Sequence, residues 1–250
     1  MPDLRLETLR DLITMQVTGS SQVTMKDIKD RISIQVGLSG YSFKIQADGE
    51  VHSSGWMSAD RIFGTPELQK RYSSVQVSVF TPKCALVPAH FHTPEVSRQM
   101  LADVVDITDE DGVEYVPVPE FAAVLLFSNT MVGAMSRVVS ETVLMTDGSK
   151  ARPLPEIYYM LKQFSEIPDY NKILAAYKDD YLYLAIAQGK SLLFCNTFKA
   201  FDFTTAQYFI FLAMKKLQLN PEVSSIYFRT PLEEEQELSL YRYFKNVEQI

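Results

Sequence analysis

Three short runs of alternating apolar and polar residues, joined by tight turns, occupy residues 31–58 and return at residues 181–203. In the first set, Ile32, Ile34 and Val36 alternate with polar positions, and Gly37 to Gly40 provide a turn. Tyr41, Phe43 and Ile45 then alternate again, and Asp48-Gly49 leads to a third run ending near Trp56. Period-two alternation gives a strand one core face and one outer face, and Asp-Gly between two such runs signals a hairpin. In the second set, Leu182, Leu184 and Ile186 form a strand, Gln188-Gly189-Lys190 the turn, residues 192–196 the return strand and residues 199–203 a third. A three-strand meander met twice in one chain predicts duplication, with residues 32–37 and 181–187 as the first strands of two similar sheets.

Helices and strands follow each meander. Thr204-x-x-Gln207 has capping-box form and opens a helix to about residue 219 that is apolar nearly all round, which predicts a helix lodged between two domains. A strand at 225–228 and a helix begun by Thr230, Pro231 and Glu233 come next. In the earlier part, Thr65-Pro66 and Thr93-Pro94 predict helices at 66–72 and 94–105. Strands are expected at 75–80, 84–88, 113–118, 121–128 and 141–146, and helices at 130–139 and 155–165. This order predicts an α/β chain of two ribonuclease-H-like halves. The first spans residues 1–175 with an inserted segment at about 82–120; the second, shorter half spans 176–250, and residues 168–180 form the link.

Composition narrows the partners. At 46% hydrophobic residues the chain has enough for one large or two modest cores. Lys+Arg of 24 against Asp+Glu of 31 leaves a net charge of -7 with no basic cluster, so nucleic acid is not an expected partner. The N-terminal MPDLRLETLRDLITMQ mixes charges into its apolar positions, unlike a signal peptide. No stretch reaches the roughly 20 apolar residues needed to span a bilayer. The expectation is a cytoplasmic protein with no membrane partner, in which Cys84 and Cys195 are reduced thiols inside apolar strands.

The hairpin SIQVGLSGYSFKIQ, the hairpin LYLAIAQGKSLLFCNTF with its helix FDFTTAQYFIFLAMKKLQL, and the terminal ELSLYRYFKNV together resemble an uncharacterised bacterial family, domain of unknown function 3822. The resemblance runs from about residue 30 onward and implies an actin-like ATPase fold. Active members of that superfamily hold ATP between their halves, on the turn after the first strand of each. Each turn carries an Asp-x-Gly pattern, in which glycine lets backbone amides reach phosphate oxygens and the carboxylate places magnesium. Carried over by position, the turns are Gln35-Val36-Gly37-Leu38-Ser39-Gly40 and Ala185-Ile186-Ala187-Gln188-Gly189. Gln35 lacks the charge that draws a hard cation, Ala185 offers no ligand, and no glycine after Gly189 supplies the adenosine turn.

The resulting expectation is a non-catalytic interaction or scaffold protein with degenerate nucleotide motifs, an unidentified protein partner, no catalytic residue and no required cofactor. Weak ATP binding, where retained, falls to Gly37, Ser39, Gly40 and Gly189. The alternative, an atypical ATP-binding protein or ATPase, needs carboxylates from Asp48, Asp180 or Asp202.

Other candidates read as ordinary structure. His90 and His92 flank Phe91 with only Glu95 near and His52 as the third histidine, too few companions for a metal. The run Asp106 to Gly112 lacks EF-hand spacing and is expected to be a solvated turn, while Glu233 to Glu235 suit the first turn of a helix. The absence of G-x-S-x-G, G-x-G-x-x-G and G-x-x-x-x-G-K removes the commonest hydrolase, dinucleotide and phosphate-loop readings.

Overall fold

The computed structural model describes residues 30–250, so the N-terminal stretch read above for a leader lies outside it. In chain order the first part contains β1 (Arg31–Gly37), β2 (Gly40–Ala47), β3 (Glu50–Ser53), β4 (Arg71–Tyr72) and β5 (Ser74–Val79). An excursion follows, made of β6 (Cys84–Pro88), α1 (Ser97–Ala102), β7 (Glu114–Val118) and β8 (Ala123–Phe127). The chain then forms α2 (Gly133–Thr142), β9 (Leu144–Met145), β10 (Pro153–Pro155) and α3 (Glu156–Gln163). The second part runs β11 (Asn171–Lys178), β12 (Tyr181–Gln188), β13 (Ser191–Lys199), α4 (Phe203–Lys216), β14 (Ser225–Phe228), α5 (Glu234–Tyr241) and β15 (Asn246–Gln249).

The two large sheets have the orders β3-β2-β1-β5-β10 and β13-β12-β11-β14-β15. Each is an antiparallel meander extended by two strands parallel to the meander's first. The chain is therefore duplicated, but its second meander starts one strand earlier than the sequence pattern predicts. Its first strand is β11, within the stretch read as a link, and the expected division between 175 and 176 falls inside it. Ile173, Leu174, Ala175 and Ala176 are all fully buried, because both faces of β11 are covered. A strand buried on both faces shows no alternation, which removes its period-two signal. Residues 199–203 are not a strand: β13 ends at Lys199, and the Asp202 carboxylate accepts the Thr205 amide at 2.7 Å to cap α4 in place of Thr204.

Nor does α4 lie between the halves. It buries Ala206, Ile210, Ala213 and Met214 against Ile173, Leu184 and Ile226 of its own sheet. Its remaining apolar bulk is absorbed sideways, with Phe209 stacked on Phe198 at 4.5 Å and Phe211 against Tyr243 at 4.9 Å. The helix at the boundary is α3. Its Ile157, Met160 and Leu161 share one core with Phe80, Leu125 and Phe127 of the first part and Leu174, Ala185 and Tyr227 of the second.

The excursion forms a three-stranded sheet, β6-β8-β7, with Leu101, Val124 and Leu126 in a small core of its own. Its acidic turn is solvated at Asp106, Asp109 and Glu110, as expected, but is anchored at Asp111. Asp111 is buried, pairs with Lys83 at 2.6 Å, and accepts the Thr108 amide at 2.8 Å and the Ser128 hydroxyl at 3.0 Å. Two further boundaries differ from expectation. Thr65-Pro66 begins only a short 3-10 turn, since the Thr65 hydroxyl bonds Tyr41 at 2.9 Å and caps nothing, whereas Thr93-Pro94 opens a 3-10 turn that runs directly into α1 within the expected 94–105. The last helix starts at Glu234 with Glu233 and Gln236 as a capping box, because Thr230 is occupied by the Tyr177 amide at 3.0 Å.

Candidate functional site

The turn after the first strand of each sheet is a two-residue hairpin. In the first half Gly37 pairs with Gly40 around Leu38-Ser39; in the second, Lys178 pairs with Tyr181 around Asp179-Asp180. Asp179 and Asp180 have φ of 50° and 62°, the left-handed pair of a type I′ turn that Asp tolerates. This register makes Asp179-Asp180 the counterpart of Leu38-Ser39, and it displaces Gln188-Gly189 from that role. Gly189 closes the opposite end of β12, where its amide donates to the Tyr170 carbonyl at 2.8 Å. Ala185 sits mid-strand opposite Leu174 and Cys195. Of the four glycine-turn residues predicted, Gly37, Ser39 and Gly40 therefore come together, and Gly189 does not join them.

The two first turns meet. Asp179 Oδ2 accepts the Leu38 amide at 2.7 Å, and Asp179 Oδ1 accepts the Ser39 hydroxyl at 3.0 Å. Gly37 is required by this closeness: a Cβ there would lie 2.4 Å from Asp179 Oδ2 and 3.2 Å from the Trp56 ring. Gly40 is needed too, since a Cβ would come within 2.0 Å of the Met57 carbonyl oxygen. Trp56 Nε1 donates to the Ser39 hydroxyl at 3.2 Å, and the Lys178 ammonium lies 3.6 Å from the Trp56 ring centroid. Burial holds the Lys178 ammonium below the usual lysine range, and the neighbouring Asp179 opposes that shift.

Register also gives the counterparts of the Asp-x-Gly positions. Gln35 corresponds to Ala176 and Gly37 to Lys178, so neither half presents a carboxylate at the first place and the second half has a lysine at the glycine. Gln35 is engaged instead in a polar knot around Glu156, the fully buried first residue of α3. Gln35 Nε2 donates to Glu156 Oε1 at 3.1 Å and to the Arg229 carbonyl at 3.1 Å. Ser78 donates to Glu156 Oε2, the Arg229 guanidinium pairs with Glu156, and it also donates to Gln163. Ser78 and Arg229 hold matching places on β5 and just beyond β14, so the two halves grip one carboxylate from equivalent positions.

The remaining candidates are dispersed. Asp48 lies in the β2–β3 turn, at the far end of β2 from Gly40, and Asp202 is the α4 cap. His90 lies within a 3-10 turn and His92 ends it, so the two do not share an extended segment, and His92 Nε2 is 2.8 Å from the Ser97 hydroxyl. Among the described residues no three His, Cys, Asp or Glu side chains converge as metal ligands. Cys84 and Cys195 are free, partly buried thiols packed against the shared core. Burial pushes the Cys84 thiol up to about 11 and the Cys195 thiol higher still.

Comparison with known proteins agrees with the duplicated topology. A family described as "Protein of unknown function (DUF3822)" matches residues 29–247. A crystal structure from Bacteroides thetaiotaomicron VPI-5482, described as a protein with actin-like ATPase fold and unknown function, superposes with a TM-score of 0.65. It is 15% identical and covers 90% of this chain and 92% of its own. The PilM-PilN type IV pilus biogenesis complex gives a TM-score of 0.48 at 12% identity, covering 88% of each chain. The ethanolamine utilization protein EutJ from Carboxydothermus hydrogenoformans gives 0.42 at 8% identity, covering 88% of this chain and 84% of its own. No curated protein matches significantly. The first of these likenesses carries the fold assignment: two ribonuclease-H-like halves in the actin-like arrangement.

Proposed function

This chain belongs to the DUF3822 family, and we propose that it acts as a non-catalytic interaction protein of the actin-like fold whose nucleotide site has been converted into a strut. The observation that supports this reading is the Asp179 carboxylate on the Leu38 amide and Ser39 hydroxyl. Those donors are the groups a phosphate would need, and a carboxylate of the opposite half already satisfies them. Gln35 and Ala176 supply no charge for magnesium, and Lys178 replaces the second glycine. No cofactor is required on this reading.

The partner class is another protein. The net charge of -7 disfavours nucleic acid, and no described helix is long and apolar enough to cross a membrane. Tyr208, Leu238, Tyr241 and Tyr243, all exposed on and beside α4 and α5, offer aromatic surface of the kind interfaces use. Two partly buried thiols, both held protonated by desolvation, suit a reducing cytoplasm.

Titration calorimetry with ATP and magnesium tests the reading, together with a phosphate-release assay. The expected result is no saturable heat, and phosphate release no faster than from a Gln35→Ala control. Saturable binding with magnesium-dependent turnover, lost on Asp180→Asn, would replace it with an atypical ATPase.

A further inference from the structure

Because the turns share one register and β5 and β14 pair alike, the two sheets can be compared position by position. On one face of the second sheet, six matched positions hold Leu174, Ala176, Tyr183, Ala185, Ala187 and Tyr227, all buried in the core that α3 shares. The same six positions of the first sheet hold Ser33, Gln35, Ser42, Lys44, Gln46 and Gln76. This polar face lines a cavity of about 630 Å³ between the halves, with Lys162 and Gln163 of α3 and Arg229 among its other lining residues. That size lies within the roughly 300–1,000 Å³ typical of small-molecule sites.

The cations in this cavity are not equivalent. Arg229 is committed to Glu156, and Lys162 pairs with Glu120 at 2.5 Å. Lys44 has no ion-pair partner among the described residues. Lys44 is exposed at the rim of this space, and partial desolvation of its ammonium, and then the Arg229 charge, hold it below the usual lysine range, a penalty that a bound anion would relieve. Hydrogen-bonding capacity is also left over. The Gln76 carbonyl accepts the Ser33 hydroxyl at 3.2 Å, leaving the Gln76 amide hydrogens to donate, and Gln46 makes no side-chain bond among the described residues. Glu166, exposed past the end of α3, is the carboxylate lining the space without an ion-pair partner among the described residues.

We infer that this cavity binds a small anion with a hydroxylated body, of the sugar-phosphate or sugar-acid class. Lys44 takes the charge, and the amides of Gln46 and Gln76 take the hydroxyls. Titration calorimetry of the full chain with glucose 6-phosphate, glucuronate, glucose and inorganic phosphate tests this. At least one sugar anion is expected to bind saturably at one per chain, about tenfold or more tighter than glucose or inorganic phosphate. Tighter binding of glucose 6-phosphate points to a phosphate ligand, and tighter binding of glucuronate to a carboxylate. Lys44→Gln, whose melting temperature is expected to match the wild type because the side chain is exposed, should weaken the sugar anion about tenfold. Glu166→Gln should strengthen it. The inference fails if neither sugar anion binds saturably, if Lys44→Gln leaves their binding unchanged, or if inorganic phosphate binds as tightly as the sugar anions.

Discussion

Leu38 donates its amide to the Asp179 carboxylate at 2.7 Å, a bond between residues 141 positions apart that ties the first turn of one half to the first turn of the other. The contact is partly solvated, so its net contribution lies toward the lower end for a charged hydrogen bond, about 1 kcal/mol. Its larger consequence is geometric, because it holds both turns in one place and fills the approach to their amides.

Asp179→Asn keeps a residue that tolerates the φ of 50° and removes the charge. Urea unfolding should show a loss of about 1 kcal/mol with an unchanged slope. A changed slope would mean that the variant alters compactness and not this bond alone.

Gly37→Ala places a methyl group 2.4 Å from Asp179 Oδ2 and should cost about 1–3 kcal/mol. In an Asp179→Gly background the obstructing carboxylate is gone, and the same substitution should cost clearly less. Equal costs in both backgrounds would contradict the meeting of the two turns.

Trp56 is the single tryptophan of the chain, so its emission reports on this junction alone. Lys178→Met removes the ammonium 3.6 Å from its ring and should change the emission while costing about 0.5–1 kcal/mol. Identical emission spectra for wild type and variant would argue against the stacked geometry.

Arg229→Met leaves the fully buried Glu156 without its counter-charge and should destabilise by about 3–5 kcal/mol. Adding Glu156→Gln removes the stranded charge and should recover much of that loss. Chemical denaturation of the two single variants and the double variant measures the coupling.

The Lys83 ammonium, with the Thr108 amide, holds the Asp111 carboxyl far below the usual carboxylate range. A lowered folded-state value means that the contribution is fully present above the unfolded value near 4 and is lost as pH falls below it. Asp111→Asn should therefore be destabilised by about 3 kcal/mol at pH 7, with the gap to wild type closing as pH falls below about 4. A gap that stays constant down to pH 3 would remove the ion pair as its cause.

The duplication was legible because β1, β2 and β12 carry strong local signals: alternation in the first two, an apolar run in the third, and tight turns at their ends. The one-strand offset between the expected and the observed second meander has a local cause too. β11 is buried on both faces and rich in alanine, so it lacks the alternation that marks β1, and Gln188-Gly189 carries a glycine that the Asp179-Asp180 turn does without. The α4 helix was visible from its apolar content, but its place was not, since stacking of Phe209 on Phe198 depends on where β13 ends.

The sequence by itself determined the fold class, the doubled meander and the lack of a carboxylate at Gln35. Only the tertiary structure decided that Asp179 closes on Leu38, that Ser78 and Arg229 hold Glu156 from matching places, and that one sheet face is polar where its twin is apolar. The physical reason is range. Strand alternation and turn preference act between residues a few positions apart, whereas these contacts join segments that meet only when two sheets and α3 pack together.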